Sequence, residues 1–230
     1  MRAADERRAG ASGIRRIAIL GAGRVGTALA RALVDAGYDV TISGSGDPAL
    51  VEIIVSVVAP GARAAWAEES VSDADMVILA LPLHRIKTVD ATMLEGRLVV
   101  DAMNYWPPVD GQIAEFDGAV DGTSSVVQAL LPGARVVKSF NHTGYHDLEP
   151  DRRPSRHPDR RAIAVAGDDV RDVAMVAQVI ERIGYDAVQV DSLAAGRLLE
   201  PGEAPFGARL DAGALTDAAH GAPLVHASPN

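Results

Sequence analysis

The six residues GAGRVG, Gly21 to Gly26, constrain this chain more than any other stretch. They follow the apolar run IRRIAIL and open the segment RVGTALARALVDAG, which carries Val25, Leu29, Leu33 and Ala36 on one face and stops at Gly37. Each glycine of a G-x-G-x-x-G turn placed between a buried strand and an amphipathic helix has its own physical reason. The first permits a tight turn, the second lets the backbone approach a pyrophosphate, and the third lets helix and strand pack closely. Amides of the first helical turn then face the phosphates. The spacing predicts a βαβ unit that binds a dinucleotide through Gly21, Gly23, Arg24, Val25 and Gly26.

From residue 14 onward, short β-branched runs alternate with segments at helical spacing, the pattern of parallel strands crossed by helices. Strands are predicted in IRRIAILGAG, YDVTISG, a short piece around Ala62 to Trp66, MVILALP, RLVVDAMN and ARVVKSFNH, with a helix over Pro48 to Val58. The stretch between the fifth and sixth strands, rich in Pro, Gly and Asp, reads as loop. A second unit, AIAVAG, DDVRDVAMVAQVIERIG and YDAVQVD, repeats the pattern without the glycine fingerprint; its VAGDDV puts acids where a phosphate would sit, so it is expected to bind no nucleotide. The junctions DAGYDV and RIGYDAV share one punctuation and read as equivalent helix-to-strand turns. The proline- and charge-rich EPDRRPSRHPDRR, 149 to 161, reads as an exposed connection. The predicted architecture is a Rossmann-type, doubly wound α/β fold with a mainly parallel sheet. Residues 14–150 form the dinucleotide-binding domain and 151–210 a small αβ extension on the same sheet. Residues 1–13 are a disordered tail and 211–230 a C-terminal tail.

The end of the second strand selects among dinucleotides, because an acid there would bind a ribose 2′-hydroxyl. ISGSGDP instead offers Ser43 and Ser45 around Gly44, with no acid before Asp47, which favours a 2′-phosphate and hence NADP(H), although no arginine stands beside the serines. FAD would need more chain after residue 150 to enclose its ring. In open α/β sheets ligands bind beyond the carboxyl ends of the strands. There Pro82 turns the chain sharply, setting the backbone of Ala80 to Leu83 beside ribose and nicotinamide, and Asn104, Tyr105 and Trp106 form a pocket mouth. KSFNHTGYHDL ends the sixth strand. His142 and His146 could hold a metal only on a helix, which Gly144 weakens, so no metal is expected; the blander reading has one histidine bonded in the loop and the other exposed.

The chain has no cysteine, which removes disulfides, thiolate catalysis and iron–sulfur ligation, and no nucleophile-elbow triad appears. A net charge of −9 disfavours nucleic acid. VEIIVSVVAPGARAAW is interrupted by Pro60, Gly61 and Arg63, so no membrane span is expected, and the N-terminus lacks a signal-peptide core. A cytoplasmic location follows as an expectation.

GAGRVGTALARAL, DAMNYWPPVDG, TSSVVQALLPGARVVKSFNHTGYHDLE, RRAIAVAGDD and LAAGRLLEPG together resemble the bacterial branch of the NADPH-dependent coenzyme F420 reductases, also called F420-dependent NADP oxidoreductases, over roughly residues 14 to 208. The resemblance implies hydride transfer between NADPH and a 5-deazaflavin, with coenzyme F420 as co-substrate. It maps the pyrophosphate loop onto Gly21 to Gly26, the 2′-phosphate pocket onto Ser43, Gly44 and Ser45, and the nicotinamide-side loop onto Ala80, Leu81 and Pro82. The deazaflavin pocket falls on Met103, Asn104, Asn141, His142 and Thr143, with His142 orienting the acceptor or stabilising its charge. Many relatives carry an arginine beside the serines, where this chain has glycine or aspartate. The expected partner is a small-molecule redox co-substrate and, at most, a second copy in a homodimer. The rival readings are an NADPH-binding sensor without turnover and a reductase of another planar or ferric acceptor.

Overall fold

A computed structural model describes residues 13–221; the expected tails lie outside these residues, except Gly13 and 211–221. Eight strands form one sheet: β1 (Arg16–Leu20), β2 (Asp39–Ser43), β3 (Arg63–Ala64), β4 (Met76–Leu79), β5 (Leu98–Asp101), β6 (Arg135–Ser139), β7 (Ala162–Ala166) and β8 (Asp186–Val190). Their order is β3-β2-β1-β4-β5-β6-β7-β8. Every described pairing is parallel except β6 with β7, where Lys138 faces Ala166 and Ser139 faces Val165. This is the doubly wound, mainly parallel α/β architecture predicted from the sequence.

The central strands are buried and mainly apolar because helices cover both faces of the sheet. Ile17, Ile19, Ile42, Ile78 and Val100 point to one layer, with α1 (Arg24–Asp35), α2 (Pro48–Val58) and α6 (Val170–Arg182). Ala18, Leu20, Val77, Leu79 and Val99 point to the other, with α3 (Ala67–Ser72) and α5 (Thr123–Leu130). Between these lies the single turn α4 (Pro107–Asp110), and α7 (Ala212–Ala219) ends the described chain. Helices α1 and α6 close alike. The Gly37 amide bonds Val34 O at 2.8 Å and the Tyr38 amide Leu33 O at 3.1 Å, as Gly184 bonds Glu181 O at 3.2 Å and Tyr185 bonds Ile180 O at 3.2 Å. Both are Schellman closures, and Arg182 links them, its Nε donating to Ala36 O at 2.8 Å while its guanidinium lies 4.6 Å from the Tyr38 ring centroid.

Three expectations need correction. The stretch between β5 and β6 is not all loop: α5 forms there, its first amide and the Thr123 hydroxyl both donating to Glu200 Oε1 at 2.7 Å, a cap supplied from 77 positions away. Residues 211–221 are not simply tail. Asp211 caps α7 by accepting from the Ala214 amide at 2.8 Å, and Leu215, Ala218 and Ala219 bury against β7 and β8. The segment 149–161 is not wholly exposed, since Asp151, Arg160 and Arg161 are buried. Asp151 pairs with Arg161 and Arg209, and Arg160 reaches Asp186 at 2.7 Å, so the charges enter the fold already matched.

Candidate functional site

The glycine loop has the shape its spacing predicts. Gly21, at φ +125°, crosses so close to β4 that a Cβ would stand 2.3 Å from Ala80 O, and its amide bonds Ser43 O at 2.8 Å. A Cβ on Gly26 would stand 1.8 Å from Gly21 O, whereas one on Gly23 would meet nothing within 4 Å. The loop is thus packed behind and open in front. Gly23 begins α1 with no side-chain cap, leaving the first-turn amides free to donate into that opening. Arg24 is exposed, and its Nη1 donates to the Tyr145 hydroxyl at 3.3 Å, bridging the glycine loop to the loop after β6. Val25 is half-buried under the helix.

In front of the loop lies a cavity of about 760 Å³ over the carboxyl ends of β1, β2 and β4. Gly21 to Gly23, Ser43 to Gly46 and Ala80 to Pro82 line it on three sides. Leu50, Val51 and Ile54 of α2, with Val89 and Met93, add apolar lining, and Arg85 and Thr88 add polar lining. Ser43 is largely buried and Ser45 exposed. Asp47 is occupied elsewhere, accepting from the Ala49 amide at 2.9 Å as the cap of α2.

A second cavity, of about 590 Å³, opens beyond β5 and β6. Tyr105, Trp106, Pro107, Pro108 and Phe116 form an aromatic and proline wall, faced by Thr123, Arg197, Glu200 and Glu203. The Tyr105 hydroxyl donates to Asp117 Oδ1 at 2.7 Å and accepts from the Ile113 amide at 2.9 Å, which fixes the ring. Asp110 ties the loops behind the two cavities together, meeting His84 Nδ1 at 2.8 Å and accepting from the Trp106 amide at 2.8 Å.

Beneath the second cavity lies a charged cluster that the sequence reading missed. Lys138 and Asp101, side by side in the β5–β6 register, are both fully buried, with Nζ 3.5 Å from Asp101 Oδ2. Lys138 also donates to Met103 O at 3.2 Å and approaches Glu200 Oε1 at 4.0 Å; Ser124 donates to Asp101 at 2.5 Å. The signal was there: a lysine and an aspartate ending otherwise apolar runs, VVKSF and VVDAM, need partners if those runs are strands.

The residues expected around an acceptor divide. Asn104 is half-buried, its Nδ2 donating to Asn141 O at 2.7 Å. Asn141 returns a bond to Asn104 Oδ1 at 3.0 Å and donates to Leu199 O at 2.7 Å, leaving its buried Oδ1 without a partner among the described residues. None of Met103, Asn104, Asn141, His142 and Thr143 lines either cavity, and all but Asn104 are buried. His142 departs furthest from expectation. Its Nε2 accepts from the Ala164 amide at 3.4 Å, while Ser139 Oγ donates to Ala164 O at 2.8 Å, so two side chains replace the backbone of β6 where Phe140, at φ +64°, turns it away from β7. Burial first, then the charges of Arg161 and Lys138, push its pKa down to about 3. A ring held neutral in this way carries no charge with which to stabilise an acceptor. His146 is exposed 3.7 Å from Asp147, in a turn rather than a helix, so the two histidines do not converge. No cluster of three potential metal ligands occurs, and no helix is long and apolar enough to cross a membrane, among the described residues.

Residues 16–105 match the family described as NADP oxidoreductase, coenzyme F420-dependent, bearing out the resemblance drawn from the motifs. Among solved structures, a hypothetical protein from Sinorhizobium meliloti is 28% identical, with a TM-score of 0.72 over 85% of this chain and 95% of its own. A protein provisionally named an F420-dependent NADP-reductase, from Arthrobacter sp. FB24, is 24% identical, with a TM-score of 0.65 over 80% and 87%. An imine reductase from Myxococcus stipitatus shares the fold at 15% identity and a TM-score of 0.57; the match covers 80% of this chain but 58% of that one. No curated protein matches.

Proposed function

From the match of residues 16–105 to the coenzyme F420-dependent NADP oxidoreductases, we propose that this protein is an NAD(P)-dependent oxidoreductase, using NADP(H) and passing a hydride to or from a deazaflavin of the coenzyme F420 type. The observation that carries the reading is the glycine loop. It is closed behind, where Gly26 meets Gly21, and open at Gly23 towards uncapped helix amides and the larger cavity. That surface suits a pyrophosphate, since free amides and a helix dipole supply positive potential without bulk. Bound there, NADPH would supply a hydride and become NADP⁺, the acceptor taking up that hydride and a proton from solvent.

The residues of this chain then orient and exclude water. The backbone of Ala80 to Pro82 flanks the inner end of the dinucleotide cavity. For the acceptor, support comes from the second cavity, whose Tyr105, Trp106 and Phe116 give a planar ring apolar contact, and whose loop shares Asp110 with the loop after β4. The Asn104–Asn141 clasp fixes the backbone at the ends of β5 and β6 beside it. Proximity and orientation of two rings suffice for this chemistry, which fits a site lacking an activated nucleophile.

The test mixes the protein with NADPH and oxidised coenzyme F420 and follows the absorbance of both. Coupled loss of the two signals, faster than without protein, is the expected result. Tight NADPH binding with no transfer to the deazaflavin would reject that acceptor; a panel of quinones, ferric chelates and imines then separates another reductase from a sensor without turnover.

A further inference from the structure

We propose that Arg85 recognises the 2′-phosphate of the dinucleotide, supplying across the cavity the cation that the turn after β2 lacks. This rests on reading the larger cavity as the NAD(P) site.

The turn itself has no room for a cation at its centre. A Cβ on Gly44 would lie 2.9 Å from Val51 Cγ2, so a side chain there would have to displace that of Val51. Ser45 and Gly46 carry no charge, and the carboxylate of Asp47 is committed to the amide of Ala49. What remains is a small polar rim of one exposed hydroxyl and backbone amides, which can accommodate a phosphate but cannot neutralise it.

Arg85 lines the same cavity from the turn Leu83–Thr88 that follows β4. Its backbone is held in place, since the amide donates to Pro82 O at 2.9 Å and its carbonyl accepts from Thr88 Oγ1 at 2.7 Å, while Leu83 and Ile86 anchor the turn in the core. Its side chain is exposed, and no hydrogen bond or ion pair engages its guanidinium among the described residues. Arg31, Arg97, Arg152, Arg160 and Arg161, by contrast, are spent on carbonyls and carboxylates. Arg85 is also the one charged side chain among the residues lining this cavity. In a chain of net charge −9, a free guanidinium facing a neutral, serine-edged cavity concentrates positive potential at one place. Its planar fork matches the oxygens of a phosphate monoester, whereas a 2′-hydroxyl offers it no charge to bind.

The experiment titrates wild type, Arg85→Gln and Arg85→Lys with NADPH, NADH, 2′,5′-ADP and 5′-AMP by calorimetry, with circular dichroism to verify the fold. Arg85→Gln is expected to weaken NADPH and 2′,5′-ADP roughly ten- to hundredfold while leaving NADH and 5′-AMP unchanged. Arg85→Lys should recover part of the loss. Equal weakening of all four ligands would overturn the inference and make Arg85 a stacking partner of the adenine; unchanged NADPH binding would overturn it too. Both outcomes leave the nucleotide site standing. Wild type that binds none of the four would overturn that site and the inference together.

Discussion

At Gly26 a methyl group would collide with the carbonyl of Gly21, whereas at Gly23 it would project into open space. The two glycines of one motif therefore answer to different demands, packing in one case and a ligand in the other. Gly26→Ala is expected to lower stability by about 2–3 kcal/mol or to prevent folding, because the clash is with backbone that cannot swing aside. Gly23→Ala should stay within about 1 kcal/mol of wild type and yet lose most of its affinity for NADPH. Thermal melts and titration of both variants check this; a Gly23→Ala protein that binds normally would remove the pyrophosphate from the loop. These roles were legible in the sequence because a turn between strand and helix is a local matter. The setting of His142 was not, since the amide that its ring accepts from belongs to Ala164, 22 positions later and on a strand of opposite direction.

At the scale of elements, the cluster around Lys138 joins β5, β6, the start of α5 and the segment carrying Glu200. A fully buried lysine between two carboxylates is costly to desolvate, but removing it alone leaves uncompensated negative charge in the interior. Lys138→Met is expected to cost roughly 3–5 kcal/mol, and Lys138→Met combined with Glu200→Gln to recover part of it. Urea denaturation of the single and double variants measures the coupling; strictly additive losses would mean that Lys138 and Glu200 act independently. The same cluster explains what the sequence concealed. Most strands were legible because they centre on short apolar runs buried in the sheet, and α1, α2 and α6 because of their periodicity. Helix α5 was hidden in a Pro- and Gly-rich stretch, for its capping group comes from Glu200 rather than from a neighbour. Arg85 likewise shares a cavity with Ser45 only through folding, because it stands on the turn after β4 rather than on the turn after β2.

For the molecule as a whole, the buried neutral state of His142 makes stability depend on acidity. Its pKa falls from the 6.5 of an exposed imidazole to about 3, so below pH 6.5 the unfolded chain binds a proton that the folded chain refuses. The contribution is complete above pH 6.5 and is lost progressively as pH falls from 6.5 towards 3, on the order of 5 kcal/mol in all. Urea midpoints of wild type should therefore drop more steeply between pH 7 and 4.5 than those of His142→Gln, whose amide oxygen can still accept from Ala164. Parallel slopes would show that His142 is not the group responsible. The place where this ring sits is the one antiparallel junction of the sheet, where two residue pairs and two side chains join β6 to β7. On either side, β1 to β6 and β7 with β8 each keep a parallel register of their own. The seam is thus a modular boundary: strands could be gained or lost there, and the register of every parallel pair that forms the nucleotide cavity would stay as it is.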